Sequence, residues 1–354
     1  MSGVWRVECG VWRIGRHLVV PVIVISLAAG AAGDDRFAAR VVSYANLPIG
    51  IYGSPEAVLG RPTTWIKEPG GPGVPAGTYA CSMVYGPWNT APDGSYLVTT
   101  IGNFTTTGYI IVEFDQPVYD DPANWHGLDL IVFGNAAFIS TGYVTYDTDM
   151  ETYRVNNNAS IVGESVTVAV SPDNVSWYEY PSPKADSYWP TDAFAWNRET
   201  HAWSWDLDPT KPVDPALTTS DFAGQYVADA IELYKGSAGG TAYDLAQSGF
   251  AWIRYVKLSS KGGEVDAVAR VSKPLTIAQA KKLPDGMPVS LGACSVTAGS
   301  SDFADCCYIE SPDRTSGIRI TSGTADAGAT VLVTGVMATE SGERLIRAAW
   351  LGAQ

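Results

Sequence analysis

The sequence predicts an all-β protein, a jelly-roll-like β-sandwich followed by a small OB-like β-barrel. Three observations carry that expectation. Charged residues make up only 17% of the 354 positions while Gly (36), Pro (22), Tyr (18) and Trp (12) are plentiful, so the chain lacks helix-favouring surface residues and is rich in turn and strand formers. Short apolar or alternating runs recur between Gly, Pro, Asn and Asp clusters from Phe37 to about Val271. Further strand-like runs then crowd into the last quarter of the chain.

Taken in order, the first segment reads as an export signal. Arg6, Arg13 and Arg16 precede the apolar run Leu18–Ala29, about a dozen residues long, and the small residues Gly30–Gly33 close it. The run is too short for a hydrocarbon core that needs roughly 20 residues, and the small residues suit a signal peptidase, so residues 1–33 are expected to be removed. The alternative is an uncleaved anchor. No later stretch is long and apolar enough to span a membrane, so a secreted or cell-surface location is expected.

Residues 34–272 are read as the sandwich. Gly108–Phe114, Leu128–Phe133, Ser165–Val170 and Ala251–Leu258 are its clearest strands. Ile253, Tyr255 and Val256 with Leu258 are expected to face the core, with Arg254 and Lys257 outward, as in a sheet packed on a second sheet. From about 181 to 240 the strand rhythm fails and a Trp-rich insertion takes over; loops of that length usually serve a function. Within it, Phe222, Tyr226, Ala230 and Leu233 stand at helical spacing, predicting one short amphipathic helix. Residues 273–354 form the second module. Leu275–Leu283 predicts a brief helix capped by Thr276 and stopped at Pro284-Asp-Gly286. Five strands then follow, Met287–Thr297, Cys306–Glu310, Gly317–Thr321, Ala329–Thr339 and Arg344–Trp350, which suggests the OB-like barrel.

Charge excludes one class of partner. With 37 acidic against 23 basic residues the formal net charge is -14, and Lys281, Lys282, Arg314, Arg319, Arg344 and Arg347 are scattered among acids, so a phosphate-tracking groove for nucleic acid is not expected.

Asp129, Asp244, Glu264 and Asp266 are the candidate metal ligands. If the loops carrying them converge at one end of the sandwich, their oxygens suit a structural calcium, a hard cation that takes six to eight oxygens. The competing reading is that Asp244 and Asp266 cap turns by accepting backbone N–H bonds. Asp147, Asp149 and Glu151 alternate like a calcium loop but lack its Gly. Trp189, Trp196, Trp203 and Trp205 are the candidate ligand-binding residues, since indole faces stack on sugar rings; the competing reading is that they pin the insertion onto the sheet. Cys81, Cys294, Cys306 and Cys307 follow the signal. A hairpin turning near Ser300 brings Cys294 opposite Cys306, the favoured disulfide, with Cys307 its competitor through a one-residue shift.

Catalysis finds little footing in the sequence. His126 and His201 belong to no metal pair, and no G-x-S-x-G elbow occurs. The chain is therefore read as non-catalytic.

Four stretches carry a family resemblance: Gly127–Asn135 (GLDLIVFGN), Val166–Trp177 (VTVAVSPDNVSW), Gly239–Leu245 (GGTAYDL) and Glu264–Val268 (EVDAV). With the opening Phe37–Tyr44 and Ser54–Pro62 they resemble the β-sandwich of secreted bacterial cell-surface proteins, and the segment from Ile277 resembles OB-fold modules appended to exported proteins. The resemblance covers nearly the whole chain after residue 33 and implies location and fold, with no reaction. The expected function is attachment or assembly contacts with a cell-surface protein, a matrix protein, a glycan or further copies of the chain. The aromatic insertion departs from the pattern. Carbohydrate binding through that insertion is the alternative function.

Overall fold

The computed structural model describes residues 34–353, apart from Ile49, Ile51 and Asn89. The expected signal segment, 1–33, lies outside the described residues. The chain is all-β, with two packed sheets, a covering insertion and a closed five-stranded barrel. Among the described residues no helix is long and apolar enough to cross a membrane.

One sheet of the sandwich runs in the order Arg40–Ala45, Gly108–Tyr119, Trp252–Ser260, Thr167–Ser171, Tyr178–Glu179; the other runs Thr241–Tyr243, Leu130–Gly134, Glu264–Arg270, Thr99–Thr100. Every pairing is antiparallel. Between the sheets lie Leu130, Val132, Val168, Val170, Val256, Leu258, Val265 and Val268, all buried. Alternation sends Ile131 and Phe133 to the opposite face, where the insertion covers them. The second sheet is therefore buried on both sides, which explains why LIVF reads as a continuous apolar run.

Alternation in Trp252–Ser260 does not run as expected. The register shifts between Ile253 and Tyr255, so Ile253, Val256 and Leu258 are core while Tyr255 is only half-buried. There Phe114–Pro117 of the partner strand lie opposite Arg254 alone, and the irregularity reverses the faces beyond it.

The insertion starts with the Phe194–Asn197 and Ala202–Asp206 hairpin, followed by a turn at Thr219–Phe222 and a helix at Val227–Leu233. Phe222 and Ala230 are buried as the spacing predicts, but Tyr226 is exposed because the helix begins only after it. The insertion rejoins the sheet at Gly239-Gly240. There φ is +84° and +79°, and a Cβ on Gly240 would lie 2.5 Å from Ile131 Cγ2. Only glycine permits both the left-handed turn and that approach.

Thr276 caps the short helix Ile277–Ala280 and receives a hydrogen bond from the Gln279 amide at 3.2 Å. The barrel strands are Pro288–Ala298, Cys306–Glu310, Gly317–Thr321, Thr330–Glu340 and Glu343–Ala353, close to the expected spans. In barrel order the last two exchange places, and Gly317–Thr321 runs parallel to Glu343–Ala353.

The expected Cys294–Cys306 disulfide is not formed. Ser295 pairs with Glu310 and Ala298 with Tyr308, so the hairpin turns later than Ser300 and Cys306 lies beyond the end of its partner strand. Cys294 is instead in register with Val331, and Cys306 with Thr321. All four described cysteines are free and buried. Cys294 and Cys307 belong to the barrel core, where they serve as small apolar residues.

Candidate functional site

The four acids expected to share one cation do not converge. Leu130 pairs with Arg270 and Gly134 with Val265. Because those strands are antiparallel neighbours, the loop before one and the loop before the other lie at opposite ends of the sheet. Asp129 and Glu264 are thus separated, and Asp266 is turned away from both by the register shift between Val265 and Ala267.

Asp129 and Asp244 do meet, at one end. Asp129 is wholly buried and accepts from the amides of Asp121 (3.0 Å) and Leu245 (2.9 Å) and from Asn124 Nδ2 (2.9 Å). Burial raises its pKa, and the Leu245 amide opposes that rise. Asp244 caps the turn Leu245–Ser248 by accepting from the Ala246 amide at 2.8 Å. Both are used as backbone acceptors, and Asp120 adds a third carboxylate beside them.

Asp266 accepts from the Thr63 amide at 2.8 Å and from Thr63 Oγ1 at 2.7 Å. Its surroundings push its carboxyl up to about 7, because burial outweighs those bonds. It ties the Thr63 loop to the sheet, which is the capping reading.

Glu264 lies at the other end with two acids that sequence reasoning missed. One oxygen each of Glu164, Asp186 and Glu264 lies within 4.8 Å of the others. Asp186 accepts from the amides of Asn135 (2.9 Å), Ala136 (3.1 Å) and Glu264 (2.7 Å). Asn135 Nδ2 donates to Glu264 Oε2 at 2.5 Å. Asp186 is 51 and 78 residues from those partners; no local pattern marks it.

The tryptophans divide between packing and a cleft. Trp189 and Trp196 are each only 7% exposed. Trp189 stands edge-on to Tyr188 and Tyr234, and Trp196 to Trp203 at 5.2 Å and 86°. The one ring contact among these four indoles, Trp196 with Trp203, is edge-on and not stacked. The hairpin that carries three of them packs against the barrel instead. Trp205 Nε1 donates to Ser322 Oγ at 3.0 Å, and the Arg347 guanidinium lies 4.8 Å from the Trp205 ring.

Beside that contact is a cleft of about 830 Å³ lined by Trp196, Trp205, Trp350, Arg319, Thr321 and Glu340, among others. Glu340 is paired with Arg347 (3.0 Å) and Arg319 (3.2 Å). Trp196 Nε1 and Thr321 Oγ1 are buried there without a hydrogen-bond partner. A polar group so placed costs about 1–3 kcal/mol.

The barrel is fixed in place by a second polar contact. Lys211 Nζ donates to the Lys235 carbonyl (2.5 Å) and to Thr334 Oγ1 (3.2 Å), and it lies 4.8 Å from the Trp125 ring and 5.1 Å from that of Trp350. Ser290 Oγ donates to Asp208 Oδ2 at 2.8 Å and lies 2.9 Å from Thr334 Oγ1. Burial pushes the Lys211 ammonium down to about 8, with Asp208 opposing.

The histidines are apart. His201 Nδ1 lies 3.0 Å from both Asp149 and Glu151, while Asp147, third of the alternating acids, accepts from Thr145. His126 is part of neither group, and burial lowers its pKa. No known protein family, curated protein or solved structure matches the chain.

Proposed function

We propose that the chain is an exported, non-catalytic protein of the cell surface or extracellular matrix, and that it makes attachment contacts by holding a saccharide in the cleft between the aromatic hairpin and the barrel. The signal-like first segment and the resemblance of the four stretches support export. The observation that carries the ligand is the cleft itself, where Trp205 and Trp350 lie beside the charged group of Arg319, Glu340 and Arg347. The charged side chains offer hydrogen bonds to sugar hydroxyls, while Trp205 and Trp350 offer apolar ring surface to the sugar's carbon face. Glu340, held by two guanidiniums, orients those cations, which favours binding over proton transfer.

The test is a glycan array probed with the wild-type chain and with Arg319→Gln and Trp205→Ala. The proposal expects binding to at least one saccharide class that both substitutions abolish or weaken at least tenfold. A blank array removes the saccharide and leaves a matrix protein, a cell-surface protein or a second copy of the chain as partner.

A further inference from the structure

The geometry points to a calcium site built by Asn135, Glu164, Asp186 and Glu264 where the ends of the two sheets meet. Three carboxylates offer oxygens within 4.8 Å of one another, and the other acids are among the charges that act on Asp186. Like charges this close and this shielded from water repel strongly without a counterion. Asn135 supplies the independent observation. It is 1% exposed, its Nδ2 touches Glu264, and its Oδ1, on the same planar amide, is buried with no hydrogen-bond partner. An oxygen left unmatched in the core beside three carboxylates is what a hard cation binds. Most buried side-chain polar atoms in proteins find partners.

The donors are all oxygens, the set preferred by calcium over soft metals. Asp186 and Glu264 already accept hydrogen bonds that fix their carboxylates; Asp186 Oδ1 takes two amides, while Asp186 Oδ2 and both Glu264 oxygens take one each and keep a lone pair for the ion. Glu164 is exposed and lines an open depression of about 690 Å³, which provides an entry path and room for water to complete the shell. Bound there, the ion would join the turn after Leu130–Gly134, the loop of Asp186, the loop before Thr167–Ser171 and the start of Glu264–Arg270. The site differs from the acid group at the opposite end, where Asp129 and Asp244 serve the backbone.

The full chain, stripped of divalent ions with EDTA, is titrated with CaCl₂ by calorimetry beside Glu164→Gln and Asp244→Asn. Glu164 is at the exposed rim, so its substitution leaves the fold intact, which the far-ultraviolet spectrum in EDTA checks. One calcium per wild-type chain is expected, with at least tenfold weaker binding in Glu164→Gln and unchanged binding in Asp244→Asn. Absence of binding to the wild type, equal affinity in a folded Glu164→Gln, or loss of binding in Asp244→Asn overturns the site.

Discussion

Lys211 is the most informative residue to perturb, because its ammonium is both a bolt between insertion and barrel and a cost to the folded state. Its pKa falls from 10.5 to about 8 on folding. At 1.36 kcal/mol per unit that shift is worth about 3 kcal/mol. The sign follows from proton binding: between pH 8 and 10.5 the unfolded chain holds the proton more tightly, so stability rises with pH across that window, while below pH 8 the full penalty stands. Lys211→Met keeps apolar contact with Trp125 and Trp350 and removes the charge. It leaves the Lys235 carbonyl unmatched, at about 1–3 kcal/mol, but Thr334 retains Ser290 and Asp208 retains Ser290 and Thr210. The two effects nearly offset, so Lys211→Met should lie within about 2 kcal/mol of wild type at pH 7.5. Urea unfolding of both proteins at pH 7.5 and pH 10 is the assay, and the wild type should gain about 2–3 kcal/mol on the variant at the higher pH. Parallel profiles would refute the reasoning.

Other consequences are equally direct. Gly240→Ala should destabilise by at least about 2 kcal/mol in thermal or urea unfolding, since it combines a left-handed φ with a Cβ driven into Ile131; a neutral result would contradict the close approach. Asp192 is fully buried, and burial raises its carboxyl well above the usual range. It contributes stability below pH 4 that is lost as pH rises from there towards its folded pKa, and Asp192→Asn should remove that slope from a pH series of melting midpoints. Cys81, Cys294, Cys306 and Cys307 should all alkylate in denaturant without reductant, read by intact mass; a fragment pair linked through Cys294 and Cys306 would show the register to be wrong.

The barrel was the most legible part of the chain, since its strands are separated by turns and Thr276 is a local cap with Gln279 three residues on. The Leu130–Gly134 and Glu264–Arg270 strands were legible too, but not the consequence of their pairing. Being antiparallel neighbours, they carry Asp129 and Glu264 to opposite ends, and the acids of three signature stretches fall in two groups instead of one. Bulges near Arg254 and Asp266 changed which side chains face the core, and period-2 reading does not see a bulge. Asp186 and Asn135 escaped notice for a common reason. Their roles depend on segments brought together from far along the chain. The tryptophans stand out as a group in the sequence, but their edge-to-face packing is decided by the barrel strands and the sheet they lie against.

The claim that most needs a direct test is that the hairpin–barrel cleft holds a saccharide. Tryptophan fluorescence, titrated with a saccharide selected from the array, should saturate at one site per wild-type chain. Trp205→Ala and Arg319→Gln should weaken that binding at least tenfold while the variants remain folded. Undiminished binding in both variants would place the ligand elsewhere and contradict the account.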